Sequence, residues 1–287
     1  MKKDIILIAT KESELLTYLI DNIDSKSKNN VKSLLKWGNV FVNGNKVYKH
    51  NFMLSVGDEI KVVLNKTKID NTKSNINIVY EDENIIAINK PSGLISSTET
   101  LGVNSAFNLV QSHLKNINKN NKLYLVHRLD KDTSGVLLFA KNIETKKSYQ
   151  SKWDEIALKR GYKAIVVNNL NKSEGTIDNY LAEVNQKVFV TKSSKEGKQA
   201  ITKYKVLKEK DDIALLDLEI LTGRKNQIRV QLANVNSPIL GDKKYGNSNN
   251  KAKRLMLHAD SLILKDPYKK KKISIKCDIP MEFNKVI

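Results

Sequence analysis

Leu123-Tyr124-Leu125-Val126-His127-Arg128-Leu129-Asp130-Lys131-Asp132-Thr133-Ser134-Gly135-Val136-Leu137-Leu138-Phe139-Ala140 sets two apolar runs around a polar, charged turn. The outer runs, 123–126 and 136–140, are short and rich in Leu, Val, Tyr and Phe, the composition of buried strands. A polar turn between core strands presents a reactive group from a rigid scaffold. The same residues also suit an ordinary turn, because Asp and Gly favour turns and Thr133-Ser134 can cap one. Asp130 and Asp132 together suggest a divalent-metal pair, but Arg128 and Lys131 crowd that turn with positive charge.

Outward from this segment, strands dominate. Residues 76–80 and 85–89 are β-rich runs, 106–117 has helical spacing, 143–158 reads as helix and 162–167 as strand. Further strands are expected at 187–191, 199–207, 213–220 and 255–264, with a helix over 225–234. Strands with scattered helices, lacking a strict strand-helix-strand beat, predict an α+β domain. Its sheet is mixed, mainly antiparallel and flanked by helices. The run 269–272 reads as a solvated basic turn.

The N-terminal part is smaller. The start, residues 1–10, has the look of a signal peptide but is read as a first strand, since its apolar stretch is short and Lys11, Glu12 and Glu14 follow directly. Leu15, Leu16, Leu19 and Ile23 share one helical face, and Val31, Leu34 and Leu35 another, ended by Gly38. Asn43-Gly44 between 40–42 and 46–48 is a strong hairpin signal, and a strand follows at 59–64. The polar stretch 65–75 is uncovered by any apolar pattern. The expected organisation is therefore a small α/β module at 1–65, a linker at 66–75, and a main domain at 76–287.

Of the 287 residues, 40% are hydrophobic, enough for a sizeable core, and no apolar run reaches membrane-spanning length. The single Cys277 excludes an intrachain disulfide framework and a cysteine zinc cluster. His50, His113, His127 and His258 lack ligand-like spacing, so no metal is expected. Phosphate-binding glycine motifs and a Gly-x-Ser-x-Gly elbow are absent, so no nucleotide cofactor is expected either. A cytoplasmic chain without a membrane partner fits these features. The formal net charge of +19 draws polyanions, nucleic acid first, although a general lysine bias would give the same excess.

Two other segments could carry chemistry. Thr222-Gly223-Arg224-Lys225-Asn226-Gln227-Ile228-Arg229 follows a strand and gathers cations at an expected helix start, an arrangement suited to anions and equally to a surface helix end. Lys90-Pro91-Ser92-Gly93 after a strand is an unremarkable turn when taken alone.

The run His127 to Gly135 closely resembles the signature of the RluA-type pseudouridine synthases. Companions follow in the family's order: 80–84 with Asn89 to Gly93, Lys159-Arg160-Gly161-Tyr162-Lys163-Ala164, Gly197 to Thr202, Gly223-Arg224 with Gln227 to Val230, Pro238 to Asp242, and Leu257-His258-Ala259. Residues 12–65 resemble the αL RNA-binding module of the ribosomal-protein S-four type, through Val31 to Leu35, Val40 to Gly44 and Val56-Gly57-Asp58. Where the family often has Thr-His, this chain has Lys225-Asn226, and no catalytic role is carried over to either.

The resemblance implies an RNA pseudouridine synthase with Asp130 as the catalytic carboxylate. It also implies Tyr162 against the base and Arg229 as the cation paired with Asp130. Arg128 would help hold the flipped substrate, and Leu257 would form either an apolar pocket wall or plain core. An aspartate is ordinarily ionised at neutral pH, and isomerisation needs neither redox change nor external energy, so no cofactor is implied. The expected partner is RNA, large-subunit ribosomal RNA first and transfer RNA second, bound by a monomer. The alternatives are a non-catalytic RNA-binding or ribosome assembly protein, and a metal-dependent RNA hydrolase using Asp130 and Asp132.

Overall fold

The computed structural model describes residues 4–23, 28–36, 38–63, 76–98, 104–167, 170–246 and 252–287. The chain divides into two compact units, Met1–Asn75 with Thr98–Asn104, and Ile76–Ser97 with Ser105–Ile287. The expected linker at 66–75 lies outside the described residues.

The first unit contains β1 (Ile5–Ile8), β2 (Ser13–Glu14), α1 (Leu15–Asn22), α2 (Lys28–Lys36), β3 (Val40–Val42), β4 (Asn45–Lys46), β5 (Met53–Leu54) and β6 (Glu59–Val62). Its main sheet runs β1-β6-β3-β4, and β2 pairs with β5. Leu15, Leu19 and Ile23 of the first helical face and Val31 and Leu35 of the second are buried together with Val40, Val42 and Ile60. Asn43 and Gly44 both take positive φ, 49° and 77°, as a tight hairpin requires. That turn pairs Val42 with Asn45, so the second hairpin strand starts before the expected 46–48.

The second unit continues with β7 (Ile78–Glu81), β8 (Ile85–Lys90), α3 (Ala106–Ile117), β9 (Tyr124–Leu125), β10 (Ser134–Ala140), α4 (Ile143–Ser151), α5 (Trp153–Ile156) and β11 (Ala157–Val167). Then come β12 (Glu174–Val184), β13 (Lys187–Thr191), β14 (Lys198–Lys210), β15 (Ile213–Ile220), α6 (Gln227–Asn234), β16 (Leu257–Lys265), β17 (Lys272–Lys276) and α7 (Met281–Asn284). They build one 11-stranded sheet in the order β13-β12-β14-β15-β11-β16-β10-β8-β7, with β17 on β16 and β9 on β10. Among its strand pairs in the described residues only β10 with β16 is parallel. The fold is thus α+β with a mixed, mainly antiparallel sheet, as expected.

The polar turn leads into β10, which lies between β16 and β8 in this sheet. All seven residues of β10 are buried, which explains an apolar run without alternation. Gly135, with φ 118°, lies where a Cβ would come within 2.1 Å of the Ala259 carbonyl oxygen. Its missing side chain lets β10 and β16 meet directly behind the turn.

Three expectations need correction. The helix read over 143–158 breaks at Lys152, and from Ala157 the chain is already strand, because Leu264 and Leu262 of β16 pair with Ala157 and Arg160 respectively. Strand 123–126 shrinks to two paired residues. The long β12 was not expected at all: only Ile177 and Leu181 of it are buried, so its apolar signal is thin.

Candidate active site

Four segments converge on one cleft of about 460 Å³. The β9–β10 turn contributes Arg128, Asp130 and Thr133, β11 contributes Tyr162, and β16 contributes Leu257. The loop and helix after β15 contribute Gly223 to Arg229. All five residues singled out from the sequence, Arg128, Asp130, Tyr162, Arg229 and Leu257, line it; Asp132 does not.

The Asp130 turn is clamped from beneath. Lys90, fully buried, donates from Nζ to the carbonyls of Pro91 (3.0 Å), Leu94 (2.7 Å) and Lys131 (3.0 Å). Burial pushes this lysine's pKa down to about 8, and the nearby Asp132 and Asp130 carboxylates oppose that. Gly93 N–H donates to the Lys131 carbonyl, and Ser92 Oγ to that of Asp132. Ser96 Oγ both accepts from Leu129 N–H (3.0 Å) and donates to the Leu129 carbonyl (2.7 Å). The segment Lys90 to Gly93, bland as a sequence, therefore buckles the turn on which Asp130 stands.

Arg229 Nη1 lies 3.5 Å from Asp130 Oδ2, so the expected pair is present, at long range. The closer partner of Arg229 is Asp242. Nε and Nη2 donate to the two Asp242 oxygens at 2.7 and 2.8 Å, a bidentate fork. Asp242 is 2% exposed and also accepts from the N–H groups of Lys244 and Tyr245. Hydrogen bonding to Arg229 and its charge hold the Asp242 carboxyl below its ordinary pKa against the cost of burial. The Tyr245 ring stacks on the guanidinium at 5.3 Å. Asn226, at a left-handed φ of 53°, accepts from Arg229 Nη1 and donates to the Tyr245 hydroxyl. The departure at 225–226 thus supports the arginine's rear.

Tyr162 sits where the β11–β16 register slips, between Gly161 opposite Ser261 and Lys163 opposite His258. Such an irregularity re-aims a side chain, and Tyr162 faces the cleft half-buried. Burial pushes its phenol up to about 12, so the hydroxyl keeps its proton. Leu257 is 3% exposed and belongs to the main core cluster; it is core and cleft floor at once. Arg128 is exposed at the rim.

The arrangement joins one partly exposed carboxylate, 34% accessible, to a cation fixed from behind, a protonated phenol and an apolar floor. It suits a flat ring bearing a sugar. Among the described residues no three His, Cys, Asp or Glu side chains cluster as metal ligands.

Comparison with known proteins points the same way. Residues 84–234 match the family model for RNA pseudouridylate synthase. An uncharacterized RNA pseudouridine synthase from Mycoplasma genitalium is 32% identical over 99% of this chain and 94% of its own length. The ribosomal large subunit pseudouridine synthase C of Rickettsia bellii is 33% identical over 85% of this chain and 83% of its own. Among solved structures, human RNA pseudouridylate synthase domain containing 4 matches at TM-score 0.62 and 27% identity, covering 72% of this chain and 90% of that one.

Proposed function

We propose, from the premise that this chain belongs to the RNA pseudouridylate synthase family and is an RNA pseudouridine synthase of the RluA type, that Asp130, Tyr162 and Arg229 form its catalytic group. The reaction breaks the link from ribose to the uracil nitrogen, turns the base, and remakes the link through carbon. A carboxylate serves by attacking the sugar, as in covalent glycosidase chemistry, or by removing a sugar proton. The observation that carries the reading is the Asp130 carboxylate open to the cleft with Arg229 at 3.5 Å and Tyr162 lining the same cleft. Asp242 holds Arg229 in place, so the cation faces Asp130 without having to be ordered when substrate arrives.

A uridine stacked in a helix cannot bring its glycosidic link against a carboxylate inside a cleft, so the base is flipped out. Arg128 at the rim occupies the position to hold the opened strand, and the Leu257 floor packs against the ring. The substrate is structured RNA, large-subunit ribosomal RNA before transfer RNA. That order is supported by the large-subunit synthases among the relatives and by the likeness of residues 12–65 to an αL RNA-binding module. The enzyme works in the cytoplasm as a monomer, and residues 1–65 extend its grip on folded RNA.

The deciding experiment maps pseudouridine across total RNA in cells carrying the wild-type chain or Asp130→Asn. Loss of discrete sites in the variant is expected, and those sites name the substrate. Identical maps would overturn the assignment of Asp130.

A further inference from the structure

Beside the Asp130 cleft lies a second one of about 360 Å³, sharing Arg128, Tyr162 and Arg224 with it and adding His127, Trp153, Asp154 and Arg160. Arg160 is 9% exposed, yet among the described residues no carboxylate forms an ion pair with it. Its Nη2 donates to the Leu221 carbonyl at 2.5 Å, and its Nε has no hydrogen-bond partner. A buried cation ordinarily has an anion beside it, because desolvation is otherwise uncompensated. Arg229, in the neighbouring cleft, has two such partners. Burial lowers the Arg160 pKa, with Arg224 acting in the same direction and Tyr162, Asp154 and Glu219 opposing it. Arg224 donates from Nε to the Gln199 carbonyl, and among the described residues no carboxylate forms an ion pair with it.

The aromatic part of this cleft is pre-ordered. Trp153 stacks on His127 with centroids 5.2 Å apart and planes 26° from parallel, and the indole remains partly exposed. The imidazole is neutral, since burial pushes its pKa down to about 4, and its Nε2 accepts from Leu138 N–H. An uncharged ring stack beside unpaired guanidiniums matches one nucleotide: a base for the rings and a phosphate for the arginines.

We propose that this second cleft binds the nucleotide adjoining the target uridine, its phosphate on Arg160 with Arg128 and Arg224 and its base against Trp153. The proposal rests on the reading of the first cleft as the uridine site. With Arg128 shared by both clefts, the two nucleotides lie on either side of one arginine. The enzyme then samples the neighbour of the uridine as well as the uridine itself. A phosphate also completes the charge balance of Arg160.

The test uses the full chain with Trp37→Phe, which leaves Trp153 as the remaining tryptophan, and the pentanucleotide AAUAA, whose single uridine fixes the register. Titration is expected to change Trp153 emission saturably. A neutral methylphosphonate at one of the two linkages beside the uridine is expected to weaken binding roughly tenfold. Arg160→Gln should weaken the unmodified probe to a similar extent, and in that variant the same methylphosphonate should cost nothing further. Arg160→Lys, which keeps the charge and loses the fork, should fall between. The methylphosphonate arm needs no substitution at Arg160, so it reads out even if Arg160→Gln fails to fold. Binding that leaves Trp153 emission unmoved, or a methylphosphonate penalty at neither linkage, overturns the subsite. The uridine reading fails differently, through unchanged pseudouridine maps in Asp130→Asn, so the two failures are separable.

Discussion

Asp130 and Asp242 both touch Arg229 on different terms, and the difference predicts opposite mutant phenotypes. Asp242 is buried, bidentate and fully hydrogen-bonded. Removing one partner of such a pair strands the other charge, at a cost of roughly 3 kcal/mol or more. Asp130 is a third exposed and paired only at 3.5 Å, and an interaction of that kind stabilises by about 1 kcal/mol at most. Asp242→Asn should therefore lower stability strongly in denaturant unfolding and reduce turnover through a displaced Arg229. Asp130→Asn should melt within a few degrees of wild type and make no pseudouridine. A heavily destabilised Asp130→Asn would move that residue into the structural class. In the sequence Asp242 stands only at the end of the closing motif Pro238 to Asp242. Its partner is 13 residues away across a turn, and nothing in local spacing announces a buried fork.

At the scale of elements, the clamp between Lys90 to Ser96 and the Asp130 turn sets the precision of the site. Lys90→Met keeps the stem and deletes three hydrogen bonds. It should lower kcat for pseudouridine formation by at least tenfold while KM for RNA changes less, as expected when a reacting group loses its placement. Equal losses in both would assign Lys90 to binding. Stability should also respond to the neutral imidazoles of β16 and of the turn before β10. Burial holds His258 and His127 near about 4, below the ordinary 6.5. The unfolded chain then binds more protons than the folded one between those values, so stability rises with pH there and is lost as pH falls from 6.5 towards 4. For fully buried His258, wedged between Ser134 Oγ and Cys277 Sγ, the loss is on the order of 3 kcal/mol. Melting temperature should drop between pH 7 and 5, above most carboxylate titrations, and His258→Gln should flatten that drop. The elements themselves were legible where burial is one-sided or complete. Helix α3 and strand β15 match their expected bounds because their apolar periods are clean. The start of β11 was read as helix because Trp153 and Ile156 continue a helical spacing, and only pairing with β16 reveals the switch. The turn bearing Asp130 was visible as a turn; its clamp was not, because the bonds run from one lysine to carbonyls, which every sequence has.

For the whole molecule, the lysine excess and the small N-terminal unit make separable predictions. Residues 1–65 hold ten lysines against seven acidic residues, so most of the +19 charge belongs to the rest of the chain. RNA affinity of the full chain should fall steeply with salt, since each phosphate neutralised releases counterions. If the N-terminal unit binds by shape, as an αL module would, its contribution depends on folded RNA rather than on charge. A chain lacking residues 1–65 should then bind structured ribosomal RNA at least tenfold more weakly, with nearly the same salt slope. It should convert a short single-stranded uridine substrate at close to the wild-type rate. Affinity measured across a salt series on both RNA classes checks this. A deletion that flattens the salt slope would make the unit an electrostatic anchor instead, and a deletion that slows both substrates alike would tie it to the chemistry of the Asp130 cleft.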